Sequence, residues 1–347
     1  MTPFRAALLS AAVALACLGT PAAQAAPDAA QPVTYPLWPG TPPGGGGPSG
    51  PERIGQSGTG VGAVSNISRP RIEVYKPAHP NGAAVLLIGG GGYFRIGIGH
   101  EVMPTAKWLA ALGVTPVVLY YRLPADRWPA AAPFQDAQRA MRLLRAHAGE
   151  LGIDAKRIGV LGFSAGGNLA GIAETRFADT FYPAVDDADR LSARPDFAAL
   201  IYPVVSLQKP YDTTRSSREL ATQSDAVQAY SVELHVTHDT PPTFLAQAAD
   251  DPIANIGNSL VMFDALHRNA VDTEMHVFDT GGHGWGLGDP GSAPSAWPRL
   301  FAAWARRAGF FQGVDTGPFA ASPGAAPVRA PAGATDASAA DDSNDDN

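Results

Sequence analysis

The chain has 347 residues, 45% hydrophobic and 16% charged, a globular composition long enough for one large domain or two modest ones. Its formal net charge is -7, with 25 Lys and Arg against 32 Asp and Glu. It lacks the basic excess that a nucleic-acid surface needs. From Phe311 onward there are six Asp and one Arg, so most of the negative balance sits in the C-terminal tail.

Residues 1–26 read as a secretory signal: Arg5, then the apolar AALLSAAVALA, then the small residues Ala23 to Ala25 for cleavage. That apolar stretch is too short to span a bilayer, and no later membrane span is expected. The expected location is periplasmic or extracellular. Cys17 is the single cysteine and lies inside this segment, so the mature protein is expected to hold no thiol or disulfide. A lipid anchor on Cys17 is the weaker alternative, because Ala14 stands where such signals usually carry Leu. Residues 27–68 are rich in Pro, Gly and Ser and read as an extended lead-in. Its tetraglycine, Gly44 to Gly47, follows no strand and reads as a flexible turn. The catalytic domain is expected over 69–312, and the tail 313–347 reads as disordered.

In chain order, RIEVYKP from Arg71 alternates like a half-exposed strand, and AAVLLIG from Ala83 is a continuous apolar one. TAKWLAALG reads as a helix ending at Gly113, and TPVVLYYR as a strand. The stretch 131–152 has helical spacing, with Phe134, Ala137, Met141, Leu144 and Ala148 on one face. RIGVLGF is a strand and AGGNLAGIAETRF a helix. FAALIYPVV, TFLAQAAD and EMHVFDT are further strands; NSLVMFDALHRNA and SAWPRLFAAWARRAG are helices. Such alternation predicts an α/β fold with a mostly parallel sheet covered by helices on both faces. The polar stretch 208–241 breaks the rhythm and is expected to form an insertion or small lid.

Gly162-Phe163-Ser164-Ala165-Gly166 is the one G-x-S-x-G in the chain. An apolar strand precedes it and a helix follows, the context in which such a serine sits on a strained strand-to-helix turn. The flanking glycines let strand and helix approach, and the helix N-terminus favours developing negative charge. A serine hydroxyl needs a base. In this architecture the order is Ser, acid, His. Five histidines follow Ser164: His235, His238, His267, His276 and His283. His283 lies in the glycine-rich loop after EMHVF and is the expected base. His235 and His238 are three apart, but no third ligand has motif spacing, so no metal is expected. No cofactor is expected either. The acid should follow the strand FLAQA. Of Asp250 and Asp251, Asp251 is favoured, because Pro252 biases it to an extended conformation. Asp250 is then a structural turn or a support for that acid.

The run VLLIGGGGYFR, Val85 to Arg95, ends an apolar strand in four glycines. G-x-G-x-x-G fails, because the last position falls on Phe94 or Arg95; the phosphate-loop pattern fails for want of a Lys-Ser or Lys-Thr. What remains is the oxyanion hole of an α/β-hydrolase, built from a loop N–H and the N–H after the serine. Spacing assigns Gly91, Gly92 and Ala165. Tyr93 and Trp285 are candidate substrate-lining residues. For Trp285, stacking on a sugar, walling an acyl pocket and capping the core all remain open.

The segments IGGGGYFR, GVTPVVLYYRLP, FQDAQRAMRLLR, KRIGVLGFSAGGNLA, PDFAALIYPVVSL, TPPTFLAQAADD and GGHGWGLG together resemble the secreted α/β-hydrolases related to acetyl-xylan and feruloyl esterases. The resemblance covers roughly Tyr35 to Phe311. It implies Ser164 as nucleophile, Asp251 as acid, His283 as base and oxyanion glycines within Gly90 to Gly92. The chain departs from the family pattern at Gly89, where Pro is usual, and at Asn168, where His is common. It also departs after Asp251, where Val-Pro is absent. The implied activity is a serine esterase acting on a small-molecule or polysaccharide ester, acetylated xylan being the expected substrate. A prolyl-oligopeptidase-like peptidase and a non-catalytic carbohydrate-binding protein are the alternatives.

Overall fold

The computed structural model describes residues 31–57 and 60–313. The expected signal segment with Cys17, and the tail beyond Gly313, lie outside the described residues. Three short strands come first: β1 (Val33–Pro36), β2 (Arg53–Ile54) and β3 (Val64–Ser65). The half-exposed strand follows as β4 (Arg71–Val74), whose side chains alternate between partly exposed and buried. Then come β5 (Ala84–Ile88), α1 (Met103–Ala111), β6 (Thr115–Tyr120) and α2 (Ala132–Ala146). The helix expected over 131–152 breaks at His147, and α3 (Ala148–Leu151) continues it. Next are β7 (Ile158–Phe163), α4 (Ala165–Thr175) and β8 (Ala198–Ile201). The insertion carries α5 (Arg215–Leu220) and α6 (Ala226–Tyr230). The chain closes with β9 (Thr243–Ala248), α7 (Gly257–Arg268), β10 (Thr273–Phe278) and α8 (Trp297–Arg307).

Eight strands form one sheet in the order β1-β4-β6-β5-β7-β8-β9-β10. From β6 to β10 all neighbours are parallel, whereas β4 runs antiparallel to both β1 and β6. The central strands β5 to β9 are buried along their whole length, as their unbroken apolar runs require. Alternation along β7 sends its side chains to opposite faces. Phe163 reaches Trp297 of α8, with ring centroids 6.0 Å apart. Gly162 faces α4, where a Cβ would lie 2.7 Å from that of Ala170. Helices therefore cover both faces.

The order places β6 and β7 on opposite sides of β5, so the chain reverses its direction of travel across the sheet there. In such sheets the crevice at the carboxyl ends of the strands flanking the reversal is where ligands bind. The glycine run leaves β5 at that point and Ser164 leaves β7.

The segment read as a lead-in is part of this fold. β1 is the edge strand, its pairing with β4 running from Val33–Val74 to Pro36–Arg71. Trp38 donates its indole N–H to Asp136 on α2 (2.8 Å), within a fully buried Arg122–Asp136 ion pair. The Arg122 guanidinium also donates to the carbonyl of Pro43 (2.6 Å). The tetraglycine is fitted rather than loose: all four φ angles are positive, and a Cβ on Gly47 would overlap the Trp128 ring at 2.2 Å.

Glu174 of α4 is wholly buried, with one oxygen accepting from the Thr243 hydroxyl (2.8 Å). Burial pushes its pKa up from the ordinary 4.5 to about 8. A carboxyl raised this way adds stability that is complete below about pH 4.5 and is lost as pH rises through 8. Glu174→Gln, neutral throughout, is expected to gain on the wild type across that window by up to about 1.4 kcal/mol per pH unit. Urea unfolding from pH 4.5 to 8 measures this; parallel curves for the two proteins would refute it.

Candidate active site

Ser164 follows β7 and stands at the N-cap of α4. A serine there ordinarily caps the helix with its hydroxyl. This one makes no capping bond. Its backbone is held at φ +52°, a conformation rare outside glycine, and its Oγ lies 2.7 Å from Nε2 of His283. The flanking glycines are sterically required. A Cβ on Gly162 would sit 2.1 Å from the carbonyl oxygen of Gly166, and one on Gly166 would sit 2.2 Å from that of Ile88.

His283 lies in the loop after β10. Its Nδ1 is 2.7 Å from Oδ2 of Asp251. A carboxylate only accepts, so Nδ1 carries the proton and Nε2 is left to accept from the serine. Asp251 follows β9 and is 4% exposed. Its other oxygen accepts from the N–H groups of Ile253 (2.8 Å) and Ala254 (2.9 Å), and the Gln247 amide donates to Oδ2 (3.0 Å). Asp250 points elsewhere and accepts from the N–H of Gly282 (2.7 Å). The histidine loop is pinned at two further alternate residues. His100 donates to the carbonyl of Gly284 (2.8 Å), and Gly286 donates to the Tyr202 hydroxyl (3.1 Å).

The other histidines after Ser164 lie apart from it. His235 contacts the carbonyl of Gln228, His238 is exposed beside Asp239, His267 stacks on Phe263, and His276 meets Glu274.

Gly90 to Gly92 and Ser164 line one cleft of about 600 Å³. Gly91 and Gly92 hold φ of +120° and +61°. Among the described residues no hydrogen bond takes up the N–H of Gly91, Gly92 or Ala165. The N–H of Gly90 is occupied, because Glu101 accepts it (2.6 Å). Glu101 is buried, and burial pushes its pKa up against the pull of that N–H and of the Tyr202 hydroxyl.

Two expected lining residues lie elsewhere. Tyr93 is fully buried, its hydroxyl donating to Asn168 Oδ1 (2.8 Å). The turn at Gly91 and Gly92, with Tyr93 itself at φ +61°, carries that side chain into the core. Trp285 is outside the cleft lining and sits edge-on to Tyr202 (4.5 Å) and Phe278 (6.1 Å), the core-capping arrangement. Besides Ser164 and His283, the side chains lining the cleft come from positions that were not among the expected lining residues. Val61 and Ile253 present exposed apolar surface there, and Phe94 and Arg95 follow the glycine run. Thr214, Arg215 and Ser216 come from the insertion. Thr214 caps α5 by accepting from Ser217 N–H (3.1 Å), which sets Arg215 at the start of that helix. The Arg215 guanidinium lies 4.8 Å from the Phe94 ring centroid. For Thr214, Arg215 and Ser216 the sequence signal was the departure from strand–helix rhythm; Phe94 and Arg95 close the marked glycine run.

A mostly parallel sheet with a serine elbow at its topological reversal defines an α/β-hydrolase. Within that class the chain belongs to the BD-FAE family, whose model matches residues 72–266. A solved structure, the acetyl ester-xyloside bifunctional hydrolase of Caldicellulosiruptor lactoaceticus, is 33% identical with a TM-score of 0.68, covering 80% of this chain and 97% of that one. An acetylxylan esterase of Xylanibacter ruminicola is 28% identical over 233 residues, 65% of this chain and 45% of that protein. An ethyl acetate hydrolase of Pseudomonas putida is 37% identical over 140 residues, 38% of this chain and 40% of that protein. The chain thus spans less than half the length of these two curated relatives.

Because Tyr93 serves the core, Tyr93→Phe is expected to lower unfolding free energy by about 1–3 kcal/mol, leaving the buried Asn168 oxygen unpaired. Phosphonylation of Ser164 is expected to stay within about twofold of wild type, since the hydroxyl is outside the cleft. A large change in that rate with unchanged stability would return Tyr93 to the substrate site.

Proposed function

We propose that the protein is a serine hydrolase of carboxylic esters, with Ser164 as nucleophile, His283 as base and Asp251 as the group that orients it. The observation that carries this is the unbroken chain of contacts from Ser164 Oγ through both His283 nitrogens to Asp251, each 2.7 Å. Ser164 Oγ attacks the ester carbonyl as its proton passes to His283 Nε2. The imidazolium formed is stabilised by the Asp251 carboxylate, and it then protonates the leaving alcohol. Water, activated by the same nitrogen, releases the acid. The oxyanion in both steps is received by N–H groups of Gly91, Gly92 and Ala165, at the positive end of α4. Each such donor contributes roughly 3–4 kcal/mol to the transition state.

The substrate is an acetylated xylan or related oligosaccharide. The names of the similar hydrolases support this, as does a cleft roomy enough for a sugar ring and walled by mixed apolar and cationic groups. The protein is exported, on the character of residues 1–26. Among the described residues no helix is long and apolar enough to cross a membrane.

Ser164→Ala is expected to abolish ester hydrolysis and labelling by a fluorophosphonate, and Asp251→Asn to lower kcat by about 10³–10⁴-fold. Turnover retained in Ser164→Ala would end the mechanism. Acetate release from acetylated xylan, measured beside aryl acetates and feruloyl esters, tests the substrate. Turnover of aryl esters without acetate release from xylan would remove the polysaccharide and leave the esterase.

A further inference from the structure

Glu101 is buried, yet among the described residues it makes no salt bridge. Enclosing a carboxylate without a cation is costly, so its hydrogen bonds have to account for its presence. Both oxygens accept: Oε2 from Gly90 N–H (2.6 Å) and Oε1 from the Tyr202 hydroxyl (3.0 Å). The Tyr202 oxygen in turn accepts from Gly286 N–H (3.1 Å). One carboxylate therefore joins the glycine loop after β5, the end of β8 and the histidine loop after β10.

The backbone under Glu101 is itself fixed. It sits in a five-residue turn of π-helix, Ile98–Val102, a rare form that recurs at functional sites. Its N–H donates to Gly97 O (3.1 Å), and its carbonyl accepts from the Thr105 hydroxyl (2.7 Å). Gly97 packs so close that a Cβ there would lie 2.4 Å from Glu101 Oε2. Gly90 is pinned on both sides, its carbonyl accepting Gly97 N–H (2.9 Å). Gly91 and Gly92, whose N–H groups stay open, hang directly from it. At the far end of the tie the Tyr202 ring is edge-on to that of His283, with centroids 5.0 Å apart.

We infer that Glu101 is a positioning residue: through Gly90 on one side and Tyr202 and Gly286 on the other, it holds the oxyanion donors and His283 in register with each other. The inference rests on the esterase reading. Its role is to keep two loops from different strands at one spacing while charge develops between them. Glu101 borders the cleft but is only 7% exposed, with both carboxylate oxygens engaged in the tie, so loss of that register should appear in kcat far more than in ground-state binding.

The test uses the full chain, with the count of competent sites fixed by stoichiometric fluorophosphonate titration, so unfolded protein does not enter the rates. Glu101→Ala is expected to lower kcat per titrated site for an aryl acetate by about 100-fold, comparable to losing one oxyanion donor, with KM within about threefold. Tyr202→Phe should lower it by about 10-fold. Glu101→Gln, which keeps an oxygen for Gly90 N–H, should recover part of the loss. The double variant Glu101→Ala/Tyr202→Phe should be no slower than Glu101→Ala, since both cut the same tie. If Glu101→Ala does not fold, Glu101→Gln and Tyr202→Phe are judged alone. Per-site kcat within about twofold of wild type in those variants, a rise in KM at constant kcat, or additive losses in the double variant would overturn the inference. A wild-type protein inert toward all esters would instead sink the esterase reading.

Discussion

Ser164 holds a φ of +52° because β7 and α4 leave the chain almost no space in which to turn. The glycine before it abuts the glycine after it, and the latter abuts the end of β5. That contact at the reversal point of the sheet puts the serine hydroxyl beside the glycine run. It also puts the hydroxyl above the carboxyl ends of β8, β9 and β10, from which Tyr202, Asp251 and His283 arrive. A strained residue of this kind costs of order 1–3 kcal/mol and persists only where its surroundings over-determine it. Here the closest of those surroundings are backbone, the carbonyls of Gly166 and Ile88.

The buried pair of Arg122 and Asp136 plays a corresponding part on the other side of β5. Arg122 follows β6, Asp136 lies on α2, and Trp38 and Pro43 close the cluster from a distant part of the chain. A guanidinium this enclosed needs all its donors met, and the lead-in supplies one of the acceptors. The segment is thereby held against the β6–α2 corner. From there it runs on to pair Val64 with Ile96 in both directions, just beyond the glycine run.

What was legible in the sequence was local. The elbow glycines, the strand before Ser164 and the helix after it follow from spacing alone. The parallel core followed from unbroken apolar runs, and Asp251 and His283 from chain order within one architecture. Tyr93 was misplaced, and the choice for Trp285 stayed open, because proximity along the chain to a site residue does not say which way a ring points. The positive φ of Tyr93 and the aromatic contacts of Trp285 turn both toward the core. β1 was hidden by its length of four residues and its terminal Pro, and Glu101 by the fact that its partners lie on other strands. Contacts set by tertiary packing leave no periodicity to read.

Val61, Gly62 and Ala63 form part of the cleft wall, and they precede residue 72, where the family match begins. They belong to the lead-in, which is held to the domain by the pairing of β1, by Trp38 on Asp136 and by the bond from Arg122 to Pro43. Of the lead-in only β1 belongs to the eight-stranded sheet, so the wall residues Val61 to Ala63 lie outside both that sheet and the elbow. A change of side chain at Val61 would therefore reshape the cleft wall while leaving the elbow backbone untouched.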